Sequence, residues 1–452
     1  MNTLQAGFAR VDVTPKLGID IVGYFKVRKA ETILDPLEIN ALALTCGENT
    51  VLLMSIDTCS FFGKLCDIYR RDIEKATGVP FDAVLIHSTH THTGASLRGI
   101  DGGFSEEGTL EYDYQKWVGE RFVEAAEAAL RDRKPAKMGI GVGQAPGISF
   151  VRRYRMKDGS VRTNPGVNNP DILHPIGDVD ERVNVVRFDR EGADSLVLAN
   201  FGCHPDTVGG NNISADWPGF VRRTVEKALD HTRCIFFNGA QGDLNHVNVH
   251  PVGGDLNDMF MDFDDVSRGY GHARHMGRVV AGAVLQVYDK VAYRDADKIR
   301  FVNWDMEIPS NMPDPADLPW AHRTHELHEA GREAELPYEG MMLTTMVAKA
   351  ARMVRLENGP ASFPLTLMGV AVGDVAVAGI PGEPFNGVGL GLKKADGWAM
   401  VMPMCLVNDS KGYFPMQDAY DEGGYEANTS RFKAGVAEQI IAEGTKMLDS
   451  LK

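Results

Sequence analysis

The sequence predicts an α/β fold: a mixed β-sheet flanked by helices, in a single large domain over residues 1–452, with a helix-rich arm near 318–357. Three observations carry that expectation. Short apolar runs of buried-strand length alternate with longer stretches of helical periodicity along the whole chain. A composition of 44% hydrophobic and 24% charged residues is enough to fill a sizeable core. No internal repeat, low-complexity segment or linker divides the chain.

The elements follow in order. Residues 40–57, NALALTCGENTVLLMSID, read as two strands around a turn at Gly47-Glu48-Asn49. A helical pattern covers 62–77. Asp82-Ala83-Val84-Leu85-Ile86 has the length of a buried strand and runs into IHSTHTHTG, at residues 86–94. Residues 115–132 read as helix. Residues 181–201 form a second hairpin, with its turn at Asp189-Arg190-Glu191-Gly192. Cys234 to Phe237 is a further buried strand, and 270–289 is helical. Residues 318–357 are helix-rich and charged, with a break near Pro337. Strands return at 365–380, and an amphipathic helix near 429–450, capped by Thr429 or Ser430, closes the chain.

Charge and composition exclude several function classes. A net charge of −15 disfavours phosphate backbones and anionic membrane surfaces, so neither nucleic acid nor membrane is expected as a partner. No stretch reaches the ~18 uninterrupted apolar residues of a membrane span. The opening MNTLQAGFARVDVTP lacks the basic and apolar regions of a signal peptide, which points to the cytoplasm. Six cysteines without CxxC spacing fit buried, reduced thiols.

Five clusters could do chemistry. On a strand, residues two apart share a face, so His90 and His92 are expected side by side, with His87 out of phase. Two imidazoles at a strand end suit a metal ion, or a ligand paired with an acid/base group, and equally a polar strand end. His204 follows an apolar strand in Asn200-Phe201-Gly202-Cys203-His204-Pro205. The third cluster is the small and polar run from Asn238 to Asn245. The fourth places Glu383 in the turn Pro381-Gly382-Glu383-Pro384, and the fifth is Tyr413 with Tyr425. Four apolar strands thus end in turns carrying His, His, an amide-rich loop and Glu. In open α/β sheets ligands bind beyond the strand carboxyl ends, and His, His and Glu are ligands for zinc.

These stretches resemble the neutral, non-lysosomal ceramidases and their bacterial relatives. The matching segments run in the same order: Ala6 to Pro15, Ser88-Thr89-His90-Thr91-His92-Thr93-Gly94, His204-Pro205, the Asn238–Asn245 loop, Pro381-Gly382-Glu383, and Tyr413 with Tyr425. The resemblance implies a ceramidase-like catalytic domain with one zinc per chain, held by His90, His204, Glu383 and Tyr413. It implies that His92 faces the reacting carbonyl, that Tyr425 lines the site, and that Arg152 or Arg153 helps hold substrate. Three departures stand out. Asn245 occupies the position of the family's catalytic serine. Neither the family's C-terminal β-sandwich nor its signal peptide is expected from the sequence. The expected activity is therefore zinc-dependent hydrolysis of an amide or ester in a small soluble substrate other than ceramide, by a zinc-activated water. Two alternatives stay open: a catalytically silent metal- and ligand-binding protein, and a zinc-assisted lactone or sugar-derivative hydrolase. A homo-oligomer is neither required nor excluded.

Other motifs read as structure. His322, His325 and His328 in AHRTHELHEA spell HELH, not HExxH, and suit a solvated helix face. His272 and His275 sit near a helix start. A second metal, were there one, would fall to Asp243 and His246. Gly139 to Gly143 reads as a glycine-rich strand rather than a phosphate loop. The acidic run Asp255 to Asp265 and the arm's Met341, Met342 and Met346 are placed near the site only if loop and arm fold over it.

Overall fold

A computed structural model describes residues 3–24 and 28–452. Its first sheet grows from the predicted hairpin. Strands Glu38–Cys46 and Asn49–Ile56 pair with Cys46 opposite Asn49, so the turn is the two residues Gly47-Glu48, with Gly47 at φ 59°. A two-residue hairpin needs that left-handed backbone, which glycine adopts without a Cβ penalty.

Nine strands make up this sheet. Along it run Thr232–Asn238, Ser195–Phe201, Arg182–Arg190, Lys134–Gln144, Gln5–Asp12, Glu38–Cys46, Asn49–Ile56 and Val84–Ser88, with Ala292–Arg294 added against Lys134–Gln144. Pairing is antiparallel except at the two ends of the order, where Ser195–Phe201 meets Thr232–Asn238 and Asn49–Ile56 meets Val84–Ser88 in parallel. The ends curl together. The Asn238 N–H donates to His87 Nε2 at 3.0 Å, and Ser55 Oγ donates to the Phe236 carbonyl at 2.9 Å. The carboxyl ends of three site-bearing strands therefore open on one side.

Helices cover the sheet through apolar faces. Leu110–Arg131 buries Val118, Phe122, Ala125, Ala126 and Ala129. Its first turn starts before the predicted one because Thr109 caps it, accepting from the Tyr112 N–H at 3.2 Å. The glycine-rich stretch is a strand, as expected. A Cβ on Gly143 would lie 2.1 Å from the Ala283 carbonyl oxygen, so glycine lets helix Tyr270–Tyr288 pack at backbone distance.

A second sheet orders Ile299–Pro309, Ser362–Val372, Val375–Gly379 and Met400–Met404, the last pair parallel. Helix Val436–Asp449 packs Val436, Ile440 and Met447 onto Leu365, Leu367 and Ala376. Each buried aliphatic side chain of this kind contributes about 1.5–3 kcal/mol. The cap predicted for this helix is corrected. Gly435, at φ 94°, sits at its N-cap, while Thr429 ends the short helix Tyr425–Thr429. Ser430 instead donates to the Tyr413 carbonyl at 2.9 Å.

The arm connects the first two strands of the second sheet. It consists of Leu318–Glu329 and Gly340–Leu356, clustered around Ala321, Ala350 and Met353. All six cysteines are free and buried. No helix among the described residues is long and apolar enough to cross a membrane.

Candidate metal centre

Of the histidines of IHSTHTHTG only His87 is on a strand. The strand ends at Ser88, and His90 takes a left-handed φ of 75°. Period-two alternation therefore does not explain why His90 and His92 meet, as expected from the sequence alone. The turn does: it folds the two rings together, with their Nε2 atoms 3.2 Å apart. Left-handed backbone at a non-glycine residue is costly and concentrates at functional sites.

Three ligand-type atoms converge. His90 Nδ1 donates to the Cys59 carbonyl at 2.7 Å. His204 Nδ1 faces the carbonyls of Gln241 and Leu244 at 2.8 and 2.9 Å. A carbonyl only accepts, so both rings carry their proton on Nδ1 and present a bare Nε2. Glu383 enters from a short parallel pairing, opposite Tyr413, and its Oε2 lies 3.2 Å from each Nε2. The donor atoms of His90, His204 and Glu383 all lie within 4.8 Å of one another. His204 Nε2 and Glu383 Oε2 are buried without a hydrogen-bond partner. Orphaned buried polar atoms are rare. Two imidazoles and a carboxylate, with His204 Nε2 and Glu383 Oε2 unsatisfied in front, fit a metal ion.

A second donor group, Cys59, His90 and His92, shares His90. His90 commits its Nδ1 to Cys59's carbonyl, so it presents Nε2 to His204 and Glu383 instead.

Charge in the centre is coupled. Burial raises the Glu383 carboxyl, but the neighbouring His90 and His204 imidazoles outweigh it and hold the group well below the ordinary range. Burial also pushes the Tyr413 phenol up, and the Glu383 charge adds to that, while the Arg152 guanidinium works against both. A bound cation is what would bring such a phenol down. Tyr413 stacks 6.4 Å from the His204 ring and meets Tyr425 edge-on at 5.7 Å.

Of the two adjacent arginines, Arg152 faces the tyrosines. Arg152 lies 5.5 Å from the Tyr413 ring and 5.9 Å from the Tyr425 ring, tied to Glu426 at 2.6 Å and the Gly242 carbonyl at 2.8 Å. Arg153 turns away to Glu422 and Asp418. Asn245 is part of the wall: its Nδ2 donates to Asn164 Oδ1 at 2.9 Å and its Oδ1 accepts from the Val247 N–H at 3.1 Å. Asp243 and His246 are not brought together. Asp243 accepts from the Asn386 N–H at 2.6 Å, while His246 Nε2 donates to the Ser267 carbonyl at 2.8 Å. His87 is buried beside Ser55, where burial holds it down to about 3.

One set of residues was not anticipated. His92 Nδ1 faces Asp206 Oδ1 at 3.5 Å. Asp206 is gripped by Arg268, through Nε at 3.0 Å and Nη2 at 2.9 Å, and by the Tyr24 hydroxyl. Arg28 donates to the His92 carbonyl at 2.5 Å. Gly23, at φ 124°, leaves the space: a Cβ there would lie 2.7 Å from His92 Cγ. Burial, with Asp206 opposing, keeps His92 well below the ordinary imidazole range. Asp206 stands two residues after His204, a signal available in sequence. Nothing local connects Tyr24 or Arg268 to the site.

The arm borders the centre. A cavity of about 370 Å³ is lined by Thr163, Asn164 and Tyr425 on the site side and by Met341, Met342 and Met346 of the arm. The arm's own histidines point elsewhere: His322 pairs with Glu357 at 2.8 Å and His328 with Glu333.

No family model matches the chain, and no curated protein matches it. Among solved structures it is similar to the crystal structure of neutral ceramidase from Pseudomonas aeruginosa, with a TM-score of 0.73 and 15% identity, covering 100% of this chain and 75% of that one. It is also similar to a ceramidase complexed with C2, with a TM-score of 0.69 and 15% identity, over 100% of this chain and 76% of that one. At that identity the likeness is one of fold.

Proposed function

We propose that this chain is a zinc-dependent hydrolase that cleaves an amide or ester bond in a small soluble substrate. His90, His204, Glu383 and Tyr413 would hold one zinc. The observation that carries the reading is the pair of orphaned, buried donor atoms on His204 and Glu383, beside an imidazole whose tautomer is set the same way. The fold shared with two ceramidase structures supports it. When bound, zinc supplies Lewis acidity and an acidified water.

The chain's own groups do the rest. His92, neutral and with Nδ1 turned to Asp206, moves a proton at Nε2. The Tyr425 hydroxyl, kept protonated by burial, donates to the developing oxyanion. Arg152 positions Tyr413 and Tyr425. Asn245 braces the loop behind His204 and offers no nucleophile, so water attacks directly. The cavity beside Tyr425 has both polar and methionine walls and suits a short substrate better than a long alkyl chain.

A panel of short-chain amides, esters and lactones tests this. Turnover by the zinc-loaded protein and none by His90→Ala supports hydrolysis, and the reactive substrate separates amide from lactone chemistry. Intact zinc with no turnover across the panel would favour a silent binding protein.

A further inference from the structure

A second group of histidines lies outside this centre. His246, on the loop after Asn245, and His272 and His275, near the start of helix Tyr270–Tyr288, line a cavity of about 450 Å³ together with Asp255. The rings form a row, with centroids 5.9 Å apart for His246 and His272 and 6.0 Å apart for His272 and His275.

The cluster shares with the first centre an imidazole whose tautomer is set from behind, while among the described residues only the groups built on His90 bring three donor atoms within 4.8 Å of one another. His246 is 2% exposed, and its Nε2–H donates to the Ser267 carbonyl at 2.8 Å. That bond sets the tautomer and leaves Nδ1 as a bare lone pair, buried and without a partner. His272 Nε2 is likewise buried and unpartnered. Asp255 accepts from Asn248 Nδ2 and the Val252 N–H at 3.0 Å, both on Oδ2, so Oδ1 is outside those bonds. Two orphaned imidazole nitrogens on one cavity, with a carboxylate oriented from behind, call for a shared electrophile.

We propose that His246, His272 and His275, with Asp255, bind a second divalent metal ion, independent of the first centre. His246 and His272 are the anchors. His275 is exposed on the same helix and closes onto the ion by rotating its side chain. Burial, opposed by Asp206, lowers His246; burial, with the neighbouring imidazoles adding, brings His272 down to about 4. Both are therefore neutral at neutral pH, the form that ligates a metal. Arg274 and Arg278 also line the cavity, both exposed. Their charge opposes a cation, which makes a small anion the competing occupant. The ion would tie the loop ending at Ser267 and Arg268 to the helix, next to the grip of Arg268 on Asp206.

The test is zinc stoichiometry on the full chain, stripped with chelator and reloaded with Zn²⁺ alone. Wild type should bind about two ions per chain, and His272→Gln and His246→Gln about one. His90→Ala should keep about one, and His90→Ala combined with His272→Gln none. His246 is buried, so its variant is checked for folding by thermal melt, and the partly exposed His272 keeps the test decisive. An ion lost from His272→Gln but kept by His90→Ala supports this site even if the first centre fails. Equal stoichiometry in wild type and His272→Gln overturns it. So does calorimetry in which the stripped protein takes inorganic phosphate, dependent on His272, and no second zinc.

Discussion

Two histidine-rich stretches, 86–94 and 321–330, have similar density in sequence and opposite fates in the structure. His90 and His92 are buried, meet edge-on with their rings at 89°, and meet His204 from a strand end far along the chain. His322, His325 and His328 lie on one helix at a spacing of three. At 3.6 residues per turn each step of three rotates about 60° around the axis, so the three rings fan out over about 120°. Two of them settle on surface carboxylates instead. The difference teaches that a metal centre is made by orienting atoms behind the ring. Backbone carbonyls hold Nδ1 of His90 and His204, whereas His322 offers its Nε2 to Glu357.

Replacing a ligand should break this contrast most. His204→Ala or Glu383→Ala is expected to remove the zinc of this centre and lower hydrolysis by more than the roughly 10–100-fold typical of outer-shell changes. Metal analysis alongside initial rates checks both. His92→Ala comes next: it should retain zinc and lose about 10²–10⁴-fold in kcat, separating proton transfer from metal holding. A His92→Ala protein that also lost its metal would move His92 into the ligand set.

Asp243 sharpens the comparison through pH. Burial raises its carboxyl, against the Asn386 N–H, to about 6. A folded-state value above the unfolded one gives stability that is full below about 4 and is lost as pH rises through about 6. Asp243→Asn has no such carboxyl. Relative to it, wild type should lose up to about 3 kcal/mol between those pH values. Denaturant unfolding at a series of pH values reads this directly, and parallel curves for the two proteins would contradict it. The smallest effect belongs to the arm. The His322–Glu357 pair is partly exposed, so His322→Ala should change stability by no more than about 1 kcal/mol and leave zinc content untouched.

Much of this was legible from residues alone. Apolar runs ending in His90, His204 and Glu383 marked strand ends, and those ends do meet. Apolar runs, periodicity and turn residues also locate the hairpins and the arm. What was not legible depends on the chain crossing itself. The left-handed turn at His90 has no local marker, since histidine rarely adopts it. The grip of Tyr24 and Arg268 on Asp206 joins three distant segments. Arg152 and Arg153 are adjacent, and only the pairing of Phe150-Val151 with Leu244-Asn245 decides which one faces the tyrosines. The N-cap of the last helix is not legible either, because Ser430 serves the Tyr413 carbonyl and Gly435 starts the helix.

The central claim is that the two bare Nε2 atoms and the Glu383 carboxylate form a metal site. Elemental analysis of wild type beside His90→Ala, Glu383→Ala and His322→Ala tests it most directly, with thermal melts confirming folding. The account predicts that wild type and His322→Ala hold the same zinc, and that the other two each hold about one ion per chain less. Equal metal content in all four folded proteins would contradict it.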